Sequence, residues 1–295
     1  MSPNEPNSQT NVGSGPQTVQ FRGVDELTLA ADEWNRDHPA AQDKPTILML
    51  HGGGQNRFSW KNTGQVLAAS GFHVVALDSR GHGDSDRSPT ANYSLETLTG
   101  DTLQVIYQIG RPVTLIGASM GGLTALPVSH EAGPELVTKL VLVDVVPRFE
   151  KGGSARIRDF MFSGVDGFTS LEEAADAVAA YLPHRARPRS PEGLKKNLRL
   201  RDGRWYWHWD PAFLTAPGDD PFERAEMLER AAINLQIPIL LIRGKLSDVV
   251  STEGVQDFLQ KVPHAQFVEL SDAGHTAAGD DNDAFTDAVV RFIHQ

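Results

Sequence analysis

The chain has 295 residues, 40% hydrophobic and 22% charged, with 27 basic against 38 acidic residues and a net charge of −11. That length admits one large α/β domain or two ordinary ones, and the negative balance disfavours nucleic acid or an anionic membrane as a partner. The chain has no cysteine, which excludes disulfides, thiolate catalysis and cysteine-based metal sites.

Residues 1–17 are polar and rich in Asn, Pro, Ser and Gly, and read as a disordered tail. They carry neither the basic nor the apolar region of a secretory signal, and no later run reaches the roughly 20 apolar residues that span a bilayer. A cytoplasmic location is the expectation.

Thr18–Arg22 and Leu27–Asn35 predict an opening hairpin around Gly23-Val24-Asp25-Glu26. Thr46–Leu50 is an unbroken apolar run, as in a strand buried on both faces, and it ends in His51-Gly52-Gly53-Gly54. Helical spacing follows over Gln55–Ser70, and then a strand over Phe72–Leu77 that ends in the polar, glycine-rich turn Asp78–Ser85. Ser94 caps a helix running to Ile109, and Leu140–Val145 is a further buried strand. After Pro147 the rhythm changes. Ala155–Phe162, Leu171–Leu182, Pro191–Leu200 and Pro221–Ala232 read as helices, so 148–235 is expected to be a mostly helical insertion. The alternation resumes with strand Ile239–Arg243, helix Glu253–Val262, strand Gln266–Leu270 and helix Asn282–Phe292. Strands alternating with helices predict a mostly parallel, doubly wound sheet with helices on both faces. Ligands bind such sheets beyond the carboxyl ends of the strands, where all the glycine-rich turns named above should gather.

The stretch that carries chemistry is Val113–Ile116 followed by Gly117-Ala118-Ser119-Met120-Gly121-Gly122. A buried strand turns here into a helix with a serine at the tip and small residues around it, the G-x-S-x-G pattern of a strained, exposed nucleophile. A serine hydroxyl needs a base, and His275, in Asp272-Ala273-Gly274-His275 after the last strand, supplies one. The base needs a carboxylate to fix its tautomer. Asp248, in the loop after Ile239–Arg243, is preferred; Asp144 is the alternative, placed by its apolar run inside a strand, and Asp272 is too close to His275 along the chain. The N–H groups of Met120 and Gly53 are the expected oxyanion donors. Trp205, Trp207 and Trp209 alternate at period two, so Trp205 and Trp207 are candidate pocket residues or packing for the insertion. Phe58, Trp60, Met161 and Phe162 carry the same two readings. No metal site is predicted.

With HGGG (51–54), DSRGHGDSD (78–86), GASMGG (117–122), RGKLSDVVS (243–251) and DAGH (272–275) in this order, the chain from about residue 18 resembles the α/β-hydrolase superfamily. Within it, the chain resembles the branch of esterases, lactonases, C–C hydrolases and cofactor-free perhydrolases that carry a cap. The resemblance implies an eight-stranded core over 18–147 and 236–295 and a helical cap over 148–235. It also implies cofactor-free hydrolysis of carboxylic esters or lactones through an acyl-enzyme, on small to medium hydrophobic substrates, with assembly into a homo-oligomer compatible. C–C bond hydrolysis or perhydrolysis on the same triad is the alternative, and a non-enzymatic ligand receptor a further one. Relatives that use Asp at the elbow, the epoxide hydrolases and dehalogenases, are disfavoured by Ser119. Asp84 and Ser85 are expected to be turn residues.

Overall fold

The computed structural model describes residues 15–183, 185, 187, 190–216, 220–276 and 282–295. Of the expected tail, 1–14 lie outside the described residues, and Gln17 already belongs to the first strand.

Eight strands form one sheet: β1 (Gln17–Arg22), β2 (Thr28–Trp34), β3 (Thr46–Leu50), β4 (Val74–Leu77), β5 (Val113–Ala118), β6 (Val137–Val143), β9 (Ile239–Gly244) and β10 (Gln266–Leu270). Their order is β1-β2-β4-β3-β5-β6-β9-β10. β2 runs antiparallel to both its neighbours, and every other pairing is parallel. The fold is thus the mostly parallel α/β sheet that the alternation predicts.

Both faces of the central strands are buried, which is why their sequences are apolar without alternation. Side chains at successive positions go to opposite faces. Leu48, Leu50, Leu115, Leu140 and Leu142 enter one core; Ile47, Met49, Ile116, Val141 and Val143 enter the other. Helices α2 (Leu95–Ile109), α3 (Met120–Ala132) and α8 (Thr252–Lys261) contribute to the first core, and α1 (Lys61–Ala69) and α9 (Asn282–Ile293) to the second. Their ends are set locally. Ser94 Oγ accepts the Thr97 N–H, Gly110 closes α2 in the left-handed region at φ 71°, and Ser251 Oγ accepts the Gly254 N–H of α8.

Between β6 and β9 the chain leaves the sheet. It forms α4 (Lys151–Phe162), α5 (Leu171–Tyr181), a 3₁₀ stretch over Pro191–Asn197, a hairpin of β7 (Leu198–Arg201) and β8 (Arg204–Trp207), one turn α6 (Ala212–Thr215), and α7 (Pro221–Asn234). The 3₁₀ stretch and the hairpin correct the expectation of a helix over Pro191–Leu200. Asp202 and Gly203 both have positive φ, 49° and 77°, which is the backbone of a tight hairpin turn. This segment has its own apolar cluster of Met161, Phe168, Leu171, Leu198, Trp207 and Trp209, with Trp207 and Trp209 stacked at 4.9 Å. It is tied to the turn after β4. Asp210 donates its N–H to the Gly81 carbonyl, Gly83 donates its own to His208 Nδ1 at 2.8 Å, and Arg199 pairs with Asp84.

Among the described residues no helix is long and apolar enough to cross a membrane.

Candidate active site

Ser119 sits between β5 and α3 with φ 48° and ψ −114°, a conformation that a non-glycine residue adopts only when its surroundings enforce it. The neighbouring glycines do so. A Cβ on Gly117 would overlap the Gly121 carbonyl, one on Gly121 would overlap the Leu50 carbonyl, and one on Gly122 would overlap Val145. Strand and helix therefore touch backbone to backbone, and the serine is pushed out at the tip. Gly122 and Leu123 donate their N–H groups to the Ser119 carbonyl at 2.9 Å, which locks the first turn of α3.

His275 lies in the loop after β10. Its Nε2 accepts from Ser119 Oγ at 3.0 Å, and its Nδ1–H donates to Asp144 Oδ2 at 2.7 Å. The carboxylate beside His275 is thus Asp144, and the expectation of Asp248 is corrected. β6 ends at Val143, and Asp144 turns out of the strand at φ 49°. Its carboxylate is fully buried, so it requires partners. Besides His275 it accepts from Gly244 N–H at 3.2 Å and Ser247 Oγ at 2.5 Å. Asp248 stands on the surface, in an ion pair with Arg156 at 2.9 Å.

Gly53 and Met120, the residues of the two expected oxyanion donors, both line the cavity at Ser119. Gly52 N–H is taken by Gln55 Oε1 at 3.1 Å, and Gly54 N–H by His82 Nε2 at 3.2 Å. Neither Gly53 N–H nor Met120 N–H, at the free end of α3, donates to a described residue.

Buried histidines support this loop and, through His208, the turn after β4 beside it. His51 Nδ1–H donates to the Gly52 carbonyl, and its Nε2 accepts the Ser79 N–H. His82 Nδ1–H donates to the Arg80 carbonyl, leaving Nε2 to accept from Gly54. Burial pushes the pKa of His51 down to about 4 and, with a smaller contribution from His51, that of His82 down to about 3; His208 is also lowered well below its ordinary value, mainly by burial. All three are neutral near pH 7, so the acceptor nitrogens stay acceptors. Arg57 anchors the same region from below. It pairs with Asp32 at 2.9 Å and with Asp78 and Asp84. Asp84 and Ser85 are turn residues, as expected: Asp84 N–H donates to Asp78, and Ser85 Oγ to the Asp78 carbonyl.

The cavity over Ser119 has a volume of about 860 Å³. Trp207, Trp209, Phe58, Trp60 and Met161 line it. Trp205 does not: it packs against the insertion's own cluster, bridged to Phe168. Phe162 does not line it either, and is exposed. Met161 lies against Gly53 and Gly54, which brings α4 over the Gly52–Gly54 loop. Sequence reasoning missed His82 and Gln55, whose signal was polar side chains within reach of a glycine-rich loop. Among the described residues no group of three or more His, Asp or Glu is placed to hold a metal ion.

Residues 47–288 match the model of the alpha/beta hydrolase family. Esterase Rv0045c of Mycobacterium tuberculosis is 30% identical over 254 residues, 83% of this chain and 81% of that protein. The sn-1-specific diacylglycerol lipase ABHD11 of Mus musculus is 27% identical over 84% of this chain and 81% of its own. The solved structure of the M. tuberculosis esterase aligns with a TM-score of 0.73 at 28% identity, covering 96% of this chain and 93% of that one.

Proposed function

This chain belongs to the alpha/beta hydrolase family, and on that premise we propose that it is an esterase with Ser119 as nucleophile, His275 as base and Asp144 as the carboxylate that orients it. The observation that carries the reading is the continuous pair of hydrogen bonds from Ser119 Oγ through His275 to a fully buried carboxylate, at the floor of a cavity.

The chemistry follows from the geometry. Ser119 Oγ attacks the ester carbonyl carbon while His275 Nε2 takes its proton. Asp144 holds the Nδ1–H tautomer and stabilises the imidazolium as it forms. The negative charge moves to the carbonyl oxygen, where Gly53 and Met120 N–H groups meet it, each such donor being worth ~10²–10³ in rate. The tetrahedral intermediate collapses, His275 returns the proton to the leaving alkoxide, and an acyl-Ser119 ester remains. Water then attacks the acyl carbon, giving its proton to His275. The acid leaves, and the proton returns to Ser119. Lactones, as cyclic esters, meet the same groups.

Residues 148–235 act as the cap in this reading. They place aromatic side chains over the nucleophile, and an apolar cavity of this size suits a small-molecule ester. A fluorophosphonate probe tests the nucleophile directly. The expected result is a single phosphonate adduct mapped by mass spectrometry to the peptide bearing Ser119, abolished by Ser119→Ala. An adduct elsewhere, or none while the protein is folded, would overturn the assignment.

A further inference from the structure

The charged residues that line the cavity are all of one sign. They are Arg158, Arg185, Arg187, Lys196 and Arg224, and no Asp or Glu is among the described residues lining it. This occurs in a chain with 38 acidic and 27 basic residues. All five lie between β6 and β9: Arg158 on α4, Arg185 and Arg187 in the link after α5, Lys196 in the 3₁₀ stretch, and Arg224 on α7.

Two of the five have structural employment. Arg187 pairs with Asp176 at 2.8 Å, and Arg185 donates to Thr276 Oγ1 at 2.9 Å, next to His275. The side chains of Arg158, Lys196 and Arg224 have no ion-pair partner among the described residues. The Lys196 ammonium titrates below the ordinary lysine value because of desolvation and, second, the charge of Lys61.

Excess charge of one sign in a cleft with low-dielectric walls focuses the field and raises the local concentration of the opposite charge. Guanidinium groups in particular present a fork that fits carboxylate and phosphate oxygens. We infer that the substrate carries an anionic oxygen group, a carboxylate or a phosphate, on the portion that lies against residues 148–235 when the ester carbon is at Ser119. This rests on the esterase reading above and gives it a substrate class: an amphiphilic ester whose scissile carbonyl sits on the sheet and whose anion sits at the insertion, with apolar chain against the tryptophans between. It narrows the hydrophobic substrate expected from sequence.

Matched pairs of esters test it. One pair is the 4-nitrophenyl monoesters of linear dicarboxylic acids against the 4-nitrophenyl esters of monocarboxylic acids of the same length. The other is an acylglycerol phosphate against the corresponding acylglycerol. The expected result is a kcat/KM higher by about tenfold for the anionic member of at least one pair, the gain of one charge-assisted contact. The pair that shows it separates carboxylate from phosphate. The preference should shrink in high salt and in the double variant Arg158→Gln/Arg224→Gln, with Lys196→Gln as an independent variant. Neutral esters hydrolysed as fast as anionic ones in both pairs would overturn the inference. So would a preference that survives both salt and substitution. If none of the esters is turned over, the esterase reading fails. Calorimetric binding of the same pairs to the Ser119→Ala protein still decides the anion inference: tighter binding of the anionic member supports it, and equal binding overturns it.

Discussion

Asp144 Oδ2 accepts the Nδ1–H of His275 at 2.7 Å, from a carboxylate that is completely buried. Asp248, after β9, the next strand of the sheet, is spent on an exposed ion pair with Arg156. The two aspartates are therefore expected to behave differently. Asp144→Asn lets the side-chain amide donate toward His275 and favours the wrong tautomer, which should lower kcat by ~10³–10⁴-fold. Asp248→Asn removes only a surface pair, worth at most about 1 kcal/mol, and should leave kcat within about twofold. Steady-state kinetics on a short 4-nitrophenyl ester compares them. Equal losses, or a larger loss at Asp248, would contradict the assignment.

In the proposed mechanism His82 is a positioning residue for the Gly52–Gly54 loop. Its Nε2 takes the N–H of Gly54, the neighbour of Gly53 in the cavity lining. His82→Ala should lower kcat about tenfold, less than deletion of a whole oxyanion donor, with a smaller change in KM. In His82→Gln a side-chain oxygen can accept in place of Nε2, and part of the rate should return. Losing the buried acceptor also leaves an N–H unpaired, at a cost of about 1–3 kcal/mol, visible as a lower thermal midpoint in the alanine variant.

Stability should fall in acid. His51 and His82 have folded-state pKa values of about 4 and about 3, below the ordinary value of about 6.5 for an unfolded chain. The unfolded state thus binds protons first as the pH drops. The stabilisation is fully present above about pH 6.5 and is lost progressively down to about 4 for His51 and about 3 for His82. For His51 the loss is on the order of 3 kcal/mol. Denaturant titrations between pH 7 and pH 4 should show the decline, with a shallower slope in His51→Gln. A flat profile would mean that these histidines take up protons at the same pH in the folded and unfolded chains.

Gly121 is required by contact. Its Cα faces the Leu50 and His51 carbonyls, so an added Cβ falls on backbone that has no rotamer to change. Gly121→Ala should destabilise the fold by about 1–3 kcal/mol and displace Ser119, lowering kcat more than the thermal midpoint would suggest. Gly152→Ala, where a Cβ meets nothing nearby, is the control.

The sheet and the strained serine between β5 and α3 are legible in the sequence because each follows from a strong local pattern. Central strands appear as unbroken apolar runs, and Ser119 sits where such a run meets closely spaced small residues. Asp144 is harder to read because Val145 and Val146 continue the apolar run past it, and nothing local marks the end of β6 at Val143. The signal available is energetic: a carboxylate within an apolar run must have a partner. Asp248, in a polar loop at the right point along the chain, is the more conspicuous residue and the one at the surface. The insertion is the least legible part. Its Asp202-Gly203 pair is a hairpin signal, yet the flanking Leu198–Arg201 and Arg204–Trp207 are half polar and short, since they pack against one small cluster and not inside a sheet. The anion-facing wall is invisible to local pattern altogether, because its five cations come from four separate segments of the chain.

Turnover of a short-chain 4-nitrophenyl ester by the parent chain and by Ser119→Ala decides whether Ser119 is the nucleophile of an ester hydrolase. The expected outcome is hydrolysis by the parent and a fall in kcat of ~10⁴-fold or more in the variant, as for loss of a triad nucleophile, with an unchanged thermal midpoint. Undiminished hydrolysis by a folded Ser119→Ala protein would contradict it.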